Sequence, residues 1–156
     1  MAIGAQIQNS SGLTLDSFTV TYDGELWRQG AGNTTLVFEY SLNATSITDS
    51  LATWTNVSAL NFVSNSISGT PGNGNVDGND PANRVAGITS TVVSLNITNG
   101  SNLWVRYYNT GASPDGLSVD NFQFTATTIP EPSTYALLGL GLGALWWLRR
   151  KSSVQG

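Results

Sequence analysis

The 156-residue chain reads as all-β, a jelly-roll-like β-sandwich followed by one short C-terminal hydrophobic helix. Three observations predict this. From residue 1 to 128, apolar residues recur at every second position between clusters of Gly, Asn, Asp and Pro, and helical spacing is nearly absent. Charged residues are only 10% of the chain while Asn, Ser, Thr and Gly abound, the balance of secreted β-rich surface proteins rather than cytosolic helical ones. An uncharged run from Ala136 to Leu148 then precedes Arg149, Arg150 and Lys151.

The elements follow in order. Ala2 to Asn9 looks like a strand already under way, and Met1 to Gly30 has neither a basic start nor an apolar run long enough for a signal peptide. A signal peptide and one or more strands are therefore expected upstream, so that the sandwich domain, residues 1–125, is expected to be truncated at its N-terminus. In Leu13 to Tyr22 the apolar set changes phase, from Leu13 and Leu15 to Phe18, Val20 and Tyr22. Leu117 and Val119 change phase in the same way before Phe122 and Phe124, and such a shift predicts a bulge or bend. Bulged strands that curl across two sheets suit sandwiches and jelly rolls. Leu36, Phe38, Tyr40 and Leu42 share one face of a strand against Val37, Glu39 and Ser41. Val93, Leu95 and Ile97, then Leu103, Val105 and Tyr107, predict a hairpin across Asn99-Gly100-Ser101-Asn102. Ser66 to Arg84, rich in Gly, Pro, Asn and Asp, reads as a loop of about 19 residues, a length that marks functional or mobile segments. Thr125 to Ile129 reads as a spacer, which makes 126–132 a spacer with a Pro-Glu-Pro motif and 133–151 a hydrophobic helix with a basic stop.

Composition removes several function classes. One domain has room for a core at this length. Before Pro130 stand nine acidic residues and three basic ones (Arg28, Arg84, Arg106), a net charge of −6, the wrong sign for a nucleic-acid footprint. The chain has no cysteine and no histidine, so disulfides, thiolate zinc sites, Ser-His-Asp and Cys-His catalysis and imidazole ligation are all absent. No cofactor is expected and no catalytic residue is assigned. Asp23, Glu25 and Glu39 are the nearest thing to a glycosidase pair, but their spacing does not place two acids about a scissile bond.

Two surface constellations remain. Asp77, Asn79, Asp80 and Asn83 offer hard oxygen ligands within seven residues, with Asp115 and Asp120 as further donors, yet the spacing is not that of an EF-hand. A calcium site from Asp77, Asn79, Asp80 and Asp120 stands beside the plainer reading in which these residues serve turns. Trp104, Arg106 and Tyr108 lie on the opposite strand face from Tyr107, so only one of the two sets can enter the core of a two-layer sandwich. Trp27, Trp54, Trp104, Tyr107 and Tyr108 can stack on sugar rings where they face outward, and the first set on one exposed face would form a ligand platform; packing is the alternative. Asn9, Asn33, Asn43, Asn56, Asn96 and Asn99 begin Asn-x-Ser/Thr triplets, which a chain this rich in Asn, Ser and Thr produces by chance.

The C-terminal segment carries the most specific pattern. A Pro-Glu-Pro tripeptide cannot sit inside a helix, because proline lacks the amide hydrogen and restricts the residue before it. After it come Ser133 and an apolar run with paired tryptophans suited to a membrane interface, and then three cations. The 16 residues from Ser133 to Leu148 span roughly 24 Å as helix, short of a ~30 Å hydrocarbon core. A helix packed on its own domain therefore stays open as an alternative.

Pro130-Glu131-Pro132-Ser133-Thr134, the apolar run and Arg149-Arg150-Lys151 resemble the PEP-CTERM sorting signal of exopolysaccharide-producing Gram-negative bacteria. The resemblance covers about a sixth of the chain, and the order of its three elements makes it specific. It implies export, transient retention in the inner membrane by the tail with Arg149, Arg150 and Lys151 as the cytoplasmic stop, and recognition near Pro130, Glu131, Pro132 and Ser133 by an exosortase. The protein would then be a substrate and not an enzyme, delivered to the cell surface or the exopolysaccharide matrix. The alternative is a carbohydrate-binding, adhesive module held as an unprocessed single-span membrane protein. A second resemblance is carried by Tyr22 to Arg28, Leu36 to Ser41, Thr53 to Val57, Asn83-Arg84, Leu103 to Arg106 and Asp115 to Phe122. Together these look like a jelly-roll module of bacterial surface proteins, which implies a fold more firmly than a ligand. Asn121 stands where that family often has a second aspartate.

Overall fold

Period-two alternation builds two antiparallel sheets in the computed structural model, which describes residues 2–30, 34–64, 74–109, 115–129 and 137–142. Among the described residues the strands are β1 (Ala2–Gln8), β2 (Thr14–Gln29), β3 (Thr35–Ser41), β4 (Thr55–Asn56), β5 (Phe62–Val63), β6 (Gly74–Asn75), β7 (Arg84–Val92), β8 (Asn102–Asn109) and β9 (Gly116–Ile129). In the first sheet β1 pairs β8, β8 pairs β3, and the other side of β3 takes both β4 and β5. In the second, β2 pairs β9 along one edge and β7 and β6 along the other. The chain changes sheet at β1 to β2, β2 to β3, β5 to β6, β7 to β8 and β8 to β9, the repeated crossing of a jelly-roll-like sandwich.

Between the sheets lies an aromatic core. Tyr107 of β8 meets Tyr22 and Phe38 edge-on at 5.1 Å each and Phe122 at 6.4 Å. Phe18 sits between Tyr40 at 5.5 Å and Phe124 at 5.3 Å. The Tyr22 hydroxyl donates to the Leu60 carbonyl at 2.7 Å. Burial pushes the Tyr22 hydroxyl far above its usual pKa, and burial together with the neighbouring Tyr22 does the same for Tyr107.

Both phase changes read from the sequence are bulges. Asp16 is the extra residue where the β2–β9 register shifts between Leu15 and Ser17. Opposite Tyr22, β9 carries two residues, Asn121 and Phe122, with Asn121 in the left-handed region at φ 52°. On the other side of β2, Ala86 and Gly87 of β7 together face Asp23, and Gly87 has φ 69°. Asp23 clasps both bulges. Its Oδ1 accepts from the Gly87 amide at 2.7 Å and its Oδ2 from the Asn121 side-chain amide at 2.9 Å. These two bonds, Asn121 first, hold its carboxyl below the usual carboxylate range.

Four expectations need correction. The hairpin does not form: β8 pairs β1 and β3, and residues 93–98 are not a strand. Ser94 and Asn96 adopt left-handed φ values of 62° and 52°, which breaks the extended run. Leu95 and Ile97 are nonetheless buried, because Leu95 bonds the Asp16 carbonyl and Ile97 exchanges two 2.9 Å bonds with Leu15 as the chain crosses between sheets. Leu42 does not join its expected face. The Ser41 hydroxyl accepts from the amides of Asn43 and Ala44 and turns the chain, leaving Leu42 exposed. The expected spacer at 126–129 is strand, since Thr125, Ala126, Thr127, Thr128 and Ile129 continue the β2 ladder as far as Thr14. The expected long loop is folded from residue 74 onward, where β6 pairs β2 and a 3-10 turn, Pro81–Asn83, leads into β7.

Asp115 closes one end of the sandwich. Its buried carboxylate accepts from the Gly30 amide at 2.5 Å and the Ser64 hydroxyl at 2.6 Å, and the same hydroxyl accepts from the Thr34 amide at 2.9 Å. Burial raises its pKa, but the bonds from Ser64, Gly30 and Thr34 outweigh it and leave the carboxyl below its usual range. Asp115→Ala strips these buried donors of their acceptor and should cost about 3 kcal/mol in urea denaturation at neutral pH. Because the folded pKa is depressed, this stabilisation is present above the unfolded carboxylate pKa and is lost as pH falls through the folded value. Wild type and variant should therefore converge in strong acid, and a gap independent of pH would refute the assignment.

Candidate functional site

On β8 the inward residues Leu103, Val105 and Tyr107 are buried, which turns Trp104, Arg106 and Tyr108 to the outer face of the first sheet. All three are half-buried. Cross-strand register brings Glu39 of β3 opposite Arg106 and Ser41 opposite Trp104. Arg106 Nε and Nη2 donate to Glu39 Oε2 at 2.9 and 2.7 Å, and Nη1 donates to the Ile47 carbonyl at 2.9 Å. The guanidinium lies 3.6 Å from the centroid of the Trp54 ring and 5.4 Å from that of Tyr108.

Trp54 comes from the loop after β3, which side chains fold back over the sheet. Asp49 accepts from the Thr45 amide and hydroxyl and the Leu51 amide, and these bonds, Thr45 first, lower its pKa. Trp54 Nε1 donates to the Asp49 carbonyl at 2.8 Å. The platform is thus the half-buried rings of Trp54 and Tyr108 about one guanidinium that also ties down the loop, with half-buried Trp104 on the same face of β8 two residues before Arg106. Sequence reading set three of its members on one face; it counted Trp54 among the sugar-stacking aromatics and Glu39 among the acids but did not place either beside Arg106. Glu39 was within reach, because an acid and a base at outward positions of two strands can pair if the strands are neighbours.

The acidic residues of 77–83 shape a turn. Asp77 Oδ1 accepts from the Asn79 amide at 3.0 Å, Asp80 Oδ1 from the Ala82 amide at 2.9 Å, and Asn83 Nδ2 donates to the Asp77 carbonyl at 2.9 Å. The turn rests on β2 through the Val76 amide, which donates to the Trp27 carbonyl, and through Gly78, where a Cβ would fall 2.5 Å from the indole of Trp27. Asp120 lies elsewhere. It faces Asp23 across β2 and β9, four residues or about 13 Å along β2 from Trp27, and its Oδ1 accepts from the Asn121 amide. Among the described residues no group of three or more His, Cys, Asp and Glu side chains gathers to hold a metal ion. Asp23, Glu25 and Glu39 do not form a pair either. Asp23 holds the bulges, Glu39 faces outward on the other sheet, and buried Glu25 accepts from Trp27 Nε1 at 2.8 Å.

The last strand of the sandwich ends at Ile129. Pro130, Glu131, Pro132, Ser133, Arg149, Arg150 and Lys151 lie outside the described residues, as does most of the helix expected over 133–151. Residues 137–142 are helical, and Leu137, Leu138, Leu140 and Leu142 are 70, 62, 71 and 61% exposed. That exposure runs against a helix packed on its own domain. Among the described residues no helix is long and apolar enough to cross a membrane. Residues 128–151 match the PEP-CTERM protein-sorting motif. The tail is a sorting signal. No curated protein and no solved structure matches the chain.

The geometry about Arg106 makes a direct prediction. Arg106→Lys keeps the charge but loses the planar fork to Glu39 and the stacking on Trp54, and should lower stability by about 1–2 kcal/mol. A double-mutant cycle with Trp54→Ala should show coupling, whereas additive effects would mean that the stack contributes nothing.

Proposed function

We propose that this chain is an exported, non-enzymatic β-sandwich protein delivered through its PEP-CTERM signal to the cell surface and associated there with exopolysaccharide. The motif at 128–151 carries the reading, because that signal implies a surface protein processed by an exosortase. The exposed leucines of 137–142 support it, since an apolar helix with no protein partner is stable in contact with lipid and not with water. In this reading the tail holds the protein at the inner membrane until the exosortase acts near Pro130-Glu131-Pro132, and Arg149, Arg150 and Lys151 keep its end on the cytoplasmic side. A non-enzymatic role agrees with a chain that has neither histidine nor cysteine and whose described aspartates mostly accept from backbone amides.

The test is the C-terminal mass of the protein recovered from culture fluid and cell surface of its host. A terminus near Pro130-Glu131-Pro132 is expected, and Glu131→Gln should abolish processing and leave the protein with the membranes. An intact Gly156 in every fraction would remove the exosortase and leave an unprocessed anchor.

A carbohydrate-binding role for the mature domain is favoured by one observation, the half-buried rings of Trp54, Trp104 and Tyr108 on the outer face of the first sheet. Retardation in affinity electrophoresis on the producer's own polysaccharide, lost in Trp104→Ala with the fold intact, is the expected result. Equal mobility with and without polysaccharide would leave a structural matrix protein.

A further inference from the structure

Charge is unevenly spread over the sandwich. At one end β1 and β3 run out where β8 begins, with Gln8 opposite Asn102 and Ser41 opposite Trp104, and β9 runs out where β2 begins, with Ile129 opposite Thr14. The Asn9 amide donates to the Ser101 carbonyl and the Gly100 amide to the Asn9 carbonyl, which joins two turns there. Residues 5–21, 40–44, 89–105 and 123–129 build this end. They are more than a third of the residues ahead of Pro130, yet they hold one of the twelve charged side chains, Asp16. The acid next along the chain from this set, Asp49, belongs to the loop that Arg106 and Trp54 hold over the outer face of the first sheet. Exposed apolar side chains stand at the same end, where Leu42, Val93 and Ile129 are 47, 62 and 45% exposed. The opposite end, about Gly116, carries Arg28, Asp77, Asp80 and Asp115.

We propose that the uncharged end is a lipid-contacting surface, held against the bilayer while the tail is embedded, an inference that rests on the sorting reading of the tail. Reach and charge both name the partner. In that reading the hydrophobic segment begins at Ser133, and from Ile129 to Ser133 the chain spans at most about 14 Å even when fully extended. Whichever surface adjoins Ile129 is therefore the one brought to the headgroups. A carboxylate carried to a lipid surface loses hydration and meets the negative potential of anionic lipids, whereas neutral amides and hydroxyls bond to headgroups and apolar side chains enter the boundary. The domain has a net charge of −6 ahead of Pro130 and keeps nearly all of its charged groups away from this surface.

The contact is weak by design of its size. Leu42, Val93 and Ile129 offer too little apolar surface to hold a free domain on a bilayer, but a short tether keeps them at high effective concentration beside it. Pro130-Glu131-Pro132 is thereby held at the lipid surface until the exosortase acts, and loss of the tail then lets the sandwich go.

Because the chain has no cysteine, one introduced thiol carries a fluorophore to a chosen place. Ser10→Cys lies at the uncharged end, and Ala82→Cys lies beside Arg84, whose partner Glu25 is about 35 Å along β2 from Thr14; both positions are exposed. Each labelled full chain is reconstituted into vesicles of phosphatidylethanolamine and phosphatidylglycerol that include a lipid with a quencher on its headgroup. A second pair of chains carries a flexible linker of about twelve residues after Ile129, roughly 20 Å in root-mean-square span, so that the tether alone no longer places the sandwich. Quenching several-fold stronger at 10 than at 82 is expected with the linker as without it, and Leu42→Asp with Val93→Asp in the linker chain should abolish the difference. Should that variant unfold, the linker comparison alone decides. Equal quenching at 10 and 82 in the linker chain would overturn the proposal and leave the sorting reading standing. So would a difference that survives both aspartates in a folded chain, or one that grows with the number of chains per vesicle, which would identify a second copy. Chains that fail to float with the vesicles would overturn the membrane reading of the tail and this inference with it.

Discussion

A single sixteen-residue strand, β2, bonds to every other strand of its sheet, and it does so only by bending. A straight strand of that length would run far past a sandwich this small, at about 3.3 Å per residue. Bulges take up the difference, and the decisive two lie on opposite sides of the same point: Ala86-Gly87 on β7 and Asn121-Phe122 on β9. Extra residues on both neighbours bend the sheet and raise its twist there, while the buried inner face sets the register on either side. Asp23 fastens the two bulges to one point by accepting one bond from each. The aromatic core depends on that bend, since Tyr22 and Phe122 reach Tyr107 from either side of it.

Acidic side chains in this domain act on the backbone far more than on cations. Three arginines stand among nine carboxylates before Pro130, and the described ion pairs are Glu39 with Arg106 and a long contact of Asp23 with Arg84. Asp49, Asp77, Asp80, Asp115 and Asp120 each accept from a backbone amide. A carboxylate held in this way positions a turn or a loop end without a partner charge, and at Asp49 the bonds from Thr45 and Leu51 also lower the carboxyl pKa. The acids that looked like ligands at 77–83 belong to this pattern.

The fold was legible where burial alone decides. Alternation placed β2, β3, β8 and β9, and the two phase changes located bulges correctly, because a bulge shifts which residues face the core. It failed where a local backbone conformation competes with the pattern. Residues 93–98 alternate as a strand would, and Leu95 and Ile97 are duly buried, but left-handed Ser94 and Asn96 make the segment a crossover. Alternation cannot report φ. At 125–129 the reverse happened, since small residues and threonines gave a weak pattern that the long β2 ladder nonetheless recruits. The outer platform was half legible. The face of Trp104, Arg106 and Tyr108 follows from the pleat, while Trp54 arrives from a loop whose path is set by Asp49 and Ser41.

That β9 reaches Ile129 bears on how the sorting motif is presented. The motif begins at residue 128, so its first two residues are also the last two of the sandwich, bonded across to Thr14 and Leu15. Pro130 has no amide hydrogen with which to continue the ladder, and a residue before proline is held extended, as Ile129 is. The end of the strand and the start of the signal are therefore set by the same residue. A chain cut anywhere beyond Ile129 keeps every β2–β9 pair in place.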